Sequence, residues 1–267
     1  MAGSPSRSGA GLLVVLPALN EEASVAHVVK EVVDALPEAR ILVVDDGSTD
    51  GTADAARRAG ATVITNPFNL GVGGAMRIGF RYALSHACTT LVQVDADGQH
   101  DPRDIERLLE VLPRGPEPQV VIGARFSGTG EFAVPWARRL AMRLLAVYLS
   151  RVTGTTLTDV TSGFRAHNRS AIELFAETYP ADYLADTVES LVISTRAGGH
   201  VSQVPVAMRP RYGGTPSQSS WWAGTYLLRV VVMLVINLVR HQPDKAKHSR
   251  AEGGTTATTG TTDGGGS

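Results

Sequence analysis

The sequence predicts an α/β fold, a mostly parallel sheet with helices on both faces. Three observations predict it. Short apolar runs of strand length alternate with stretches whose apolar residues recur at helical spacing. The apolar runs are near-continuous, as in strands buried on both sides. They end in turns rich in Asp, Gly and Asn, where an open parallel sheet presents its binding edge. With 267 residues and 43% hydrophobic content, the chain suits one large domain or two tightly joined halves and can bury a core.

Taken in order, residues 1–11 are small and polar and read as a loose lead-in. Residues 12–16 form a strand, and Val25, Val28, Val29, Val32, Val33 and Leu36 mark a helix after Asn20. Residues 41–44 are the next strand, residues 52–59 a short helix and residues 62–65 a third strand. A helix over 74–86 leads into a strand over 90–94. Residues 104–112, with Pro102 near their start, read as a helix, and 119–123 as a strand. Residues 125–135 are Gly-rich and expected to be a mobile loop. Residues 136–152 and 187–197 are helical, the second ending at Gly198-Gly199, and 201–206 are a strand. There is no internal repeat.

Composition excludes several classes. The 25 Lys and Arg residues against 26 Asp and Glu leave no basic surplus, so no nucleic-acid partner is expected. One cysteine, Cys88, rules out a disulfide framework and a cysteine-cluster metal site within the chain. The run 12–16 is too short and lacks the basic flank of a signal peptide. Residues 221–239 are strongly apolar but carry Arg229; about 20 apolar residues are needed for a single crossing. Two readings stay open for this stretch. One is a core or homo-oligomer helix; the other is a helix on the membrane surface with Trp221, Trp222 and Tyr226 at headgroup level. From Asp244 the chain is Gly/Thr-rich and reads as a disordered tail.

The chemistry concentrates at strand ends. Asp95-Ala96-Asp97 follows the strand over 90–94 and is followed by Gly98-Gln99-His100. Two carboxylates there, with the Gln99 carbonyl, offer hard oxygen ligands for Mg²⁺ or Mn²⁺, which would neutralise phosphate oxygens of a nucleotide. The alternative is a polar turn, since Asp and Gly favour turns anyway. Asp45-Asp46 ends the second strand, followed by Gly47-Ser48-Thr49-Asp50. One carboxylate there can accept from a base or ribose, and Asp50 is assigned as the helix cap. Pro17-Ala18-Leu19-Asn20-Glu21-Glu22 adds polar groups to the same edge, where Glu21 and Glu22 also suit a helix N-terminus. Residues 69–79 look like a dinucleotide fingerprint but place Met76 where its third glycine belongs; a glycine-rich helix start close to a nucleotide fits better.

The motifs "PALNEE", "VVDDGSTDGT", "NLGVGGAMRIG", "DADGQH" and "TSGFRAHNR", in this order, resemble the family-2 glycosyltransferases of GT-A fold, over roughly residues 12–214. Within the family they look most like the polyprenyl- or dolichol-phosphate sugar synthases. The resemblance implies a lead-in over 1–11 and a transferase domain over 12–215. That domain has a nucleotide-binding half (12–113) and an acceptor half (114–215). A C-terminal apolar helix (216–243) and a tail (244–267) follow. It implies that a sugar passes, with inversion, from a nucleotide-sugar donor to a polyprenyl phosphate lipid at the cytoplasmic membrane face. Pro17, Leu19, Asn20, Glu22, Asp45, Asp46, Asn69, Gly74, Arg77, Asp95 and Ala96 would line the donor pocket. Asp95, Asp97 and Gln99 would hold Mg²⁺ or Mn²⁺. Asp97, Arg125 and Arg165 would act at the reacting groups, the two arginines on the acceptor phosphate, with Arg138 and Arg139 as further phosphate ligands.

A lipid phosphate is already ionised near neutral pH, so it needs positioning and charge neutralisation more than a strong base. Asp186 and Glu189 fall where a base could serve a hydroxyl acceptor instead, which is the nearest alternative. A sugar nucleotidyltransferase would carry a Gly-rich, Arg-containing loop after the first strand, where this chain has "PALNEE". A non-catalytic nucleotide-binding, membrane-associated protein would bind metal and nucleotide without turnover. Tyr212-Gly213-Gly214-Thr215 resembles the family's segment that closes over the donor.

Overall fold

Strands and helices alternate along the first part of the chain: β1 (Leu12–Ala18), α1 (Val25–Ala35), β2 (Arg40–Asp45), α2 (Thr52–Arg58), β3 (Thr62–Thr65), α3 (Gly71–Ser85) and β4 (Thr90–Gln93). A 3-10 turn (Pro102–Asp104) runs into α4 (Ile105–Val111), followed by β5 (Gln119–Arg125), α5 (Trp136–Thr153), β6 (Arg165–Asn168), α6 (Arg169–Thr178), α7 (Asp186–Arg196) and β7 (His200–Val206). The structure, a computed structural model, describes residues 11–125, 136–180 and 186–212, with side chains in α5 from residue 142 onward. The lead-in, the loop beyond Arg125, the apolar stretch 216–243 and the tail lie outside the described residues.

The seven strands form one sheet in the order β3-β2-β1-β4-β6-β5-β7. Val14 of β1 is level with Ile41 of β2 and Val92 of β4, all parallel. β1 is buried on both faces. Leu12, Val14 and Leu16 join Val25, Val28, Val29 and Val32 of α1 in one core, while Val15 meets α3 at Gly79 on the other side. Four valines buried completely in α1 contribute about 1.5–3 kcal/mol each, which is why an eleven-residue helix holds without a side-chain cap at its start.

β6 departs from the expected pattern. It pairs antiparallel with both β4 and β5, and together with α6 it occupies a stretch where the sequence showed no element. All four of its residues, Arg165, Ala166, His167 and Asn168, are buried, yet only Ala166 is apolar, so no apolar run announces it. Satisfied polar groups take the place of hydrophobic ones. Asn168, for example, caps α6 through Ala171 N–H and also accepts from Gln119 N–H.

Two helix starts also shift. α3 begins at Gly71, three residues ahead of the expected Gly74, because the buried Asp46 carboxylate accepts from the N–H groups of Leu70 and Gly71 at 2.9 and 2.7 Å. Gly51 rather than Asp50 occupies the N-cap of α2. Asp50 nevertheless caps from one position further out, accepting from Thr52 N–H at 3.0 Å.

Candidate active site

β1 lies between β2 and β4, so the chain leaves the sheet in opposite directions on its two sides and opens a crevice at the carboxyl ends. The turns after β1, β2 and β4 meet there. The first two are clipped together. Asn20 sits at φ 55°, a left-handed conformation that Asn tolerates better than most residues. Its side-chain Oδ1 accepts from Thr49 N–H at 2.9 Å, and its own N–H donates to Ser48 Oγ at 2.9 Å. Glu22 Oε2 accepts from Gly51 N–H at 3.1 Å. Asp45 accepts from Ser48 N–H at 3.1 Å, and Asp46 takes Asn66 Nδ2 at 2.8 Å besides the start of α3. Pro17 remains in β1, level with Val44, and Leu19 is half-buried in the turn beyond.

Asp95 and Asp97 follow β4. Asp97 is buried; its Oδ1 accepts from Gln99 N–H at 3.0 Å. Burial first, and the neighbouring Asp95 second, push its carboxyl above the usual range. Burial acts the same way on Asp95, but His100 and then Arg125 outweigh it and hold that carboxyl low. His100 Nε2 lies 3.4 Å from Asp95 Oδ2, and its ring stacks on Phe164 with centroids 4.9 Å apart. Gly163 leans directly on Asp95, since a Cβ there would stand 2.7 Å from Oδ1. Ala96 is buried between the two carboxylates. Among the described residues no group of three or more His, Cys, Asp or Glu side chains is arranged to hold a metal ion. The oxygen donors at this turn are the two carboxylates and the half-buried Gln99; a buried carboxylate beside a second one is a hard-oxygen setting that Mg²⁺ or Mn²⁺ would suit, the cation offsetting both burial and repulsion.

The segment after β7 crosses this turn. His100 and Met208 form a bridge, Arg209 N–H donates to Gln99 O at 2.9 Å, and Tyr212 N–H donates to Asp97 O at 3.2 Å. Gly98, at φ +78°, must lack a Cβ because the Tyr212 ring occupies that space. Arg209 pairs with Glu31 at 2.7 Å and with Asp101, and Tyr212 packs edge-on against His27. Arg211 Nη2 lies 2.6 Å from Glu21 Oε1 and 3.4 Å from Asp97 Oδ2. Glu21 and Arg211 are functional candidates that the sequence reading missed. Glu21, not Glu22, is the buried glutamate turned toward the aspartates, and Arg211 arrives on the segment after β7 with no motif around it.

Arg125 ends β5 and reaches the same edge, where it is bound to Asp159 at 2.6 Å. The expectation that Arg165 meets an acceptor phosphate is overturned by its placement. Arg165 is 1% exposed. Its guanidinium donates to Ser162 O, Thr187 O, Val160 O and Ser190 Oγ at 2.8–3.1 Å, so it braces the chain below the site. Arg77 is likewise turned away, donating to Glu177 O at 3.0 Å on α6. Gly74 allows close approach to the Leu70 side chain within its own helix, and Asn69 Oδ1 accepts from Gly71 N–H at 2.8 Å. Arg138 and Arg139 stand in the first turn of α5, with side chains outside the described residues.

Comparisons with known proteins bear on the family and the fold. Residues 13–175 match the family model Glycosyl transferase family 2. An undecaprenyl-phosphate mannosyltransferase of Micrococcus luteus is 30% identical over 82% of this chain and 92% of its own. A polyprenol monophosphomannose synthase of Mycolicibacterium smegmatis is 33% identical over 60% of this chain and 63% of its own. Among solved structures, glucosyl-3-phosphoglycerate synthase of Mycobacterium tuberculosis, in complex with Mn²⁺, UDP and phosphoglyceric acid, superposes with a TM-score of 0.66. It is 25% identical and covers 88% of this chain and 80% of its own.

Proposed function

This chain belongs to glycosyl transferase family 2 and is a GT-A-type glycosyltransferase that uses nucleotide-sugar donors; from that premise we propose that its acceptor is a polyprenyl phosphate at the cytoplasmic membrane face. The observation that carries the acceptor is the identity, over 82% of the chain, to a transferase named for undecaprenyl phosphate. The geometry supports it: positive charge stands near the carboxylates, Arg211 at 3.4 Å from Asp97 and Arg125 at the end of β5, where it is paired with Asp159.

In this reading Asp95, Asp97 and Gln99 would hold Mg²⁺ or Mn²⁺, which would supply charge neutralisation to the donor diphosphate. The loops after β1 and β2, from Pro17 to Glu22 and Asp45 to Thr52, form the nucleotide wall, with the buried Glu21 beside the aspartates. Arg125 orients the acceptor phosphate for in-line attack on the anomeric carbon, and the configuration inverts. The lipid phosphate attacks as the anion, so no proton need be removed. Arg suits the task because its planar fork engages phosphate oxygens directionally. Among the described residues no helix is long and apolar enough to cross a membrane; in this reading the chain is peripheral and residues 216–243 hold it at the surface.

A second reading keeps the donor and replaces the lipid by a hydroxyl on a small phosphorylated acid, favoured by the phosphoglyceric acid in the solved relative. One experiment separates the two. Purified protein is incubated with a panel of nucleotide sugars, Mg²⁺ or Mn²⁺, and either a short polyprenyl phosphate or phosphoglycerate, with products read by mass spectrometry. The lipid reading expects a glycolipid from one donor, absent with Asp97→Asn. Product on phosphoglycerate alone would replace it with the second reading.

A further inference from the structure

We propose that Asp159 is a positioning residue: it grips one edge of the Arg125 guanidinium, leaves the other edge to the acceptor, and holds that cation off Asp95. The acceptor half of this inference rests on the role proposed above for Arg125; the half concerning Asp95 does not.

The grip is detailed. Asp159 Oδ2 accepts from Arg125 Nε at 2.6 Å and from the Arg125 backbone N–H at 3.3 Å, while Oδ1 accepts from Nη2 at 3.2 Å. Thr161 closes it: its Oγ accepts from Arg125 Nη2 at 2.9 Å and donates to Asp159 Oδ1 at 3.1 Å, and its N–H donates to the same oxygen at 3.2 Å. Asp159 is thus anchored from its own turn before it meets the arginine. Its side chain is 8% exposed, against 44% for Arg125. Among the described residues Arg125 Nη1 makes no hydrogen bond. A guanidinium held along its Nε–Nη2 edge in this way has one orientation left, with the Nη1 end outward.

A bidentate pair on a surface would mean little by itself. Here the same turn touches both charges. Two residues beyond Thr161, Gly163 rests on Asp95, and Arg125 already acts on Asp95 through space. Two carboxylates therefore compete for one cation at the end of β5. Asp159 wins through its two-point geometry and its preformed hydrogen bonds, and Asp95, paired with His100, is left without a second cation. Without Asp159, the flexible Arg125 side chain would keep only the neutral Thr161 hydroxyl and have Asp95 as its remaining carboxylate partner, an internal cation competing with an added one.

The test uses the full-length chain, with Mn²⁺ binding read by the electron paramagnetic resonance of free Mn²⁺ and kinetics at saturating Mn²⁺ with a short polyprenyl phosphate. Asp159→Ala is expected to weaken Mn²⁺ binding about fivefold or more, and to raise the acceptor KM about tenfold while the donor KM moves less than about twofold. The decisive arm is the pair. In Arg125→Ala, a further Asp159→Ala should change Mn²⁺ affinity by less than about twofold, because the competing cation is gone. Equal Mn²⁺ loss with and without Arg125, or unchanged Mn²⁺ affinity and acceptor KM in Asp159→Ala, overturns the proposal. Should Asp159→Ala fail to fold, Thr161→Val loosens the same grip and is expected to raise the acceptor KM about threefold; no change in it counts against the grip. If the wild type makes no glycolipid, the acceptor reading falls and the Mn²⁺ arms alone decide the competition between Asp95 and Asp159.

Discussion

The two sides of the crevice are organised differently. On the side of β1 and β2, carboxylates and amides are spent on backbone N–H groups: Asn20 on Thr49, Glu22 on Gly51, Asp45 on Ser48, Asp46 on Leu70 and Gly71. On the side of β5 and β6, arginines are spent on carbonyls and carboxylates, Arg165 on three backbone oxygens and Arg125 on Asp159. The first side fixes the course of its loops and leaves a shaped wall. The second fixes the direction of a charge. In the proposed function, where the first side receives the nucleotide and the second the acceptor phosphate, a shaped wall suits the larger ligand and a directed charge suits the smaller one.

The largest effect should come where the two sides meet. Asp97→Asn is expected to cut glycosyl transfer about a thousandfold while Tm changes little, because burial and Asp95 already make the Asp97 charge unfavourable; a steady-state assay beside a thermal melt checks both. Next, Phe164→Ala should cost about 3–5 kcal/mol in urea unfolding, since the fully buried ring fills the space beside Gly123 and stacks on His100. Loss of activity beyond that explained by unfolding would show that His100 depends on this ring to stay against Asp95.

Acid should strike the β6 side. His167 is pushed down to about 3, by burial first and Arg165 second, so between about pH 6.5 and 3 the unfolded chain binds a proton that the folded chain refuses. Stability should therefore fall as pH drops through that window, at up to about 1.4 kcal/mol per pH unit from this group. His167→Phe is expected to flatten urea midpoints measured from pH 7 to 4; an unchanged slope would remove His167 as the cause. The smallest effect tests the β1–β2 clip. Asn20→Ala loses the bonds to Thr49 and strains a left-handed position, for about 1–2 kcal/mol. Asn20→Gly, which keeps the conformation, should cost less than Asn20→Ala in the same denaturation experiment. The reverse order would show that the left-handed backbone at position 20 is not a source of strain.

The same contrast governs what the sequence made legible. β1 to β4 and their helices are written locally: an apolar run, an acidic or Asn-containing turn, a helical period. The boundaries expected there lie within a few residues of those found, as for β3 and α2. β6 could not be read this way, because its burial depends on partners far along the chain. Arg165 needs Val160, Thr187 and Ser190, and Asn168 needs Glu117 and Gln119. An arginine in a motif looks like a ligand-binding group until its acceptors are located. Arg211 illustrates the converse: with no motif around it, only the path of the chain after β7 brings it beside Glu21 and Asp97.

The strand order also has a bearing on how the protein is made. β4 acquires its second neighbour from β6, not from the strand that follows it in sequence. On a ribosome adding about 5–20 residues each second, β1 to β4 emerge seconds ahead of Arg165–Asn168. During that interval the far edge of β4, with Leu91 and Val92, is unpaired. The nascent chain must keep that edge from other strands until a short, polar, antiparallel partner arrives. Truncations ending between β4 and β6 should therefore be aggregation-prone, however complete their nucleotide-side half.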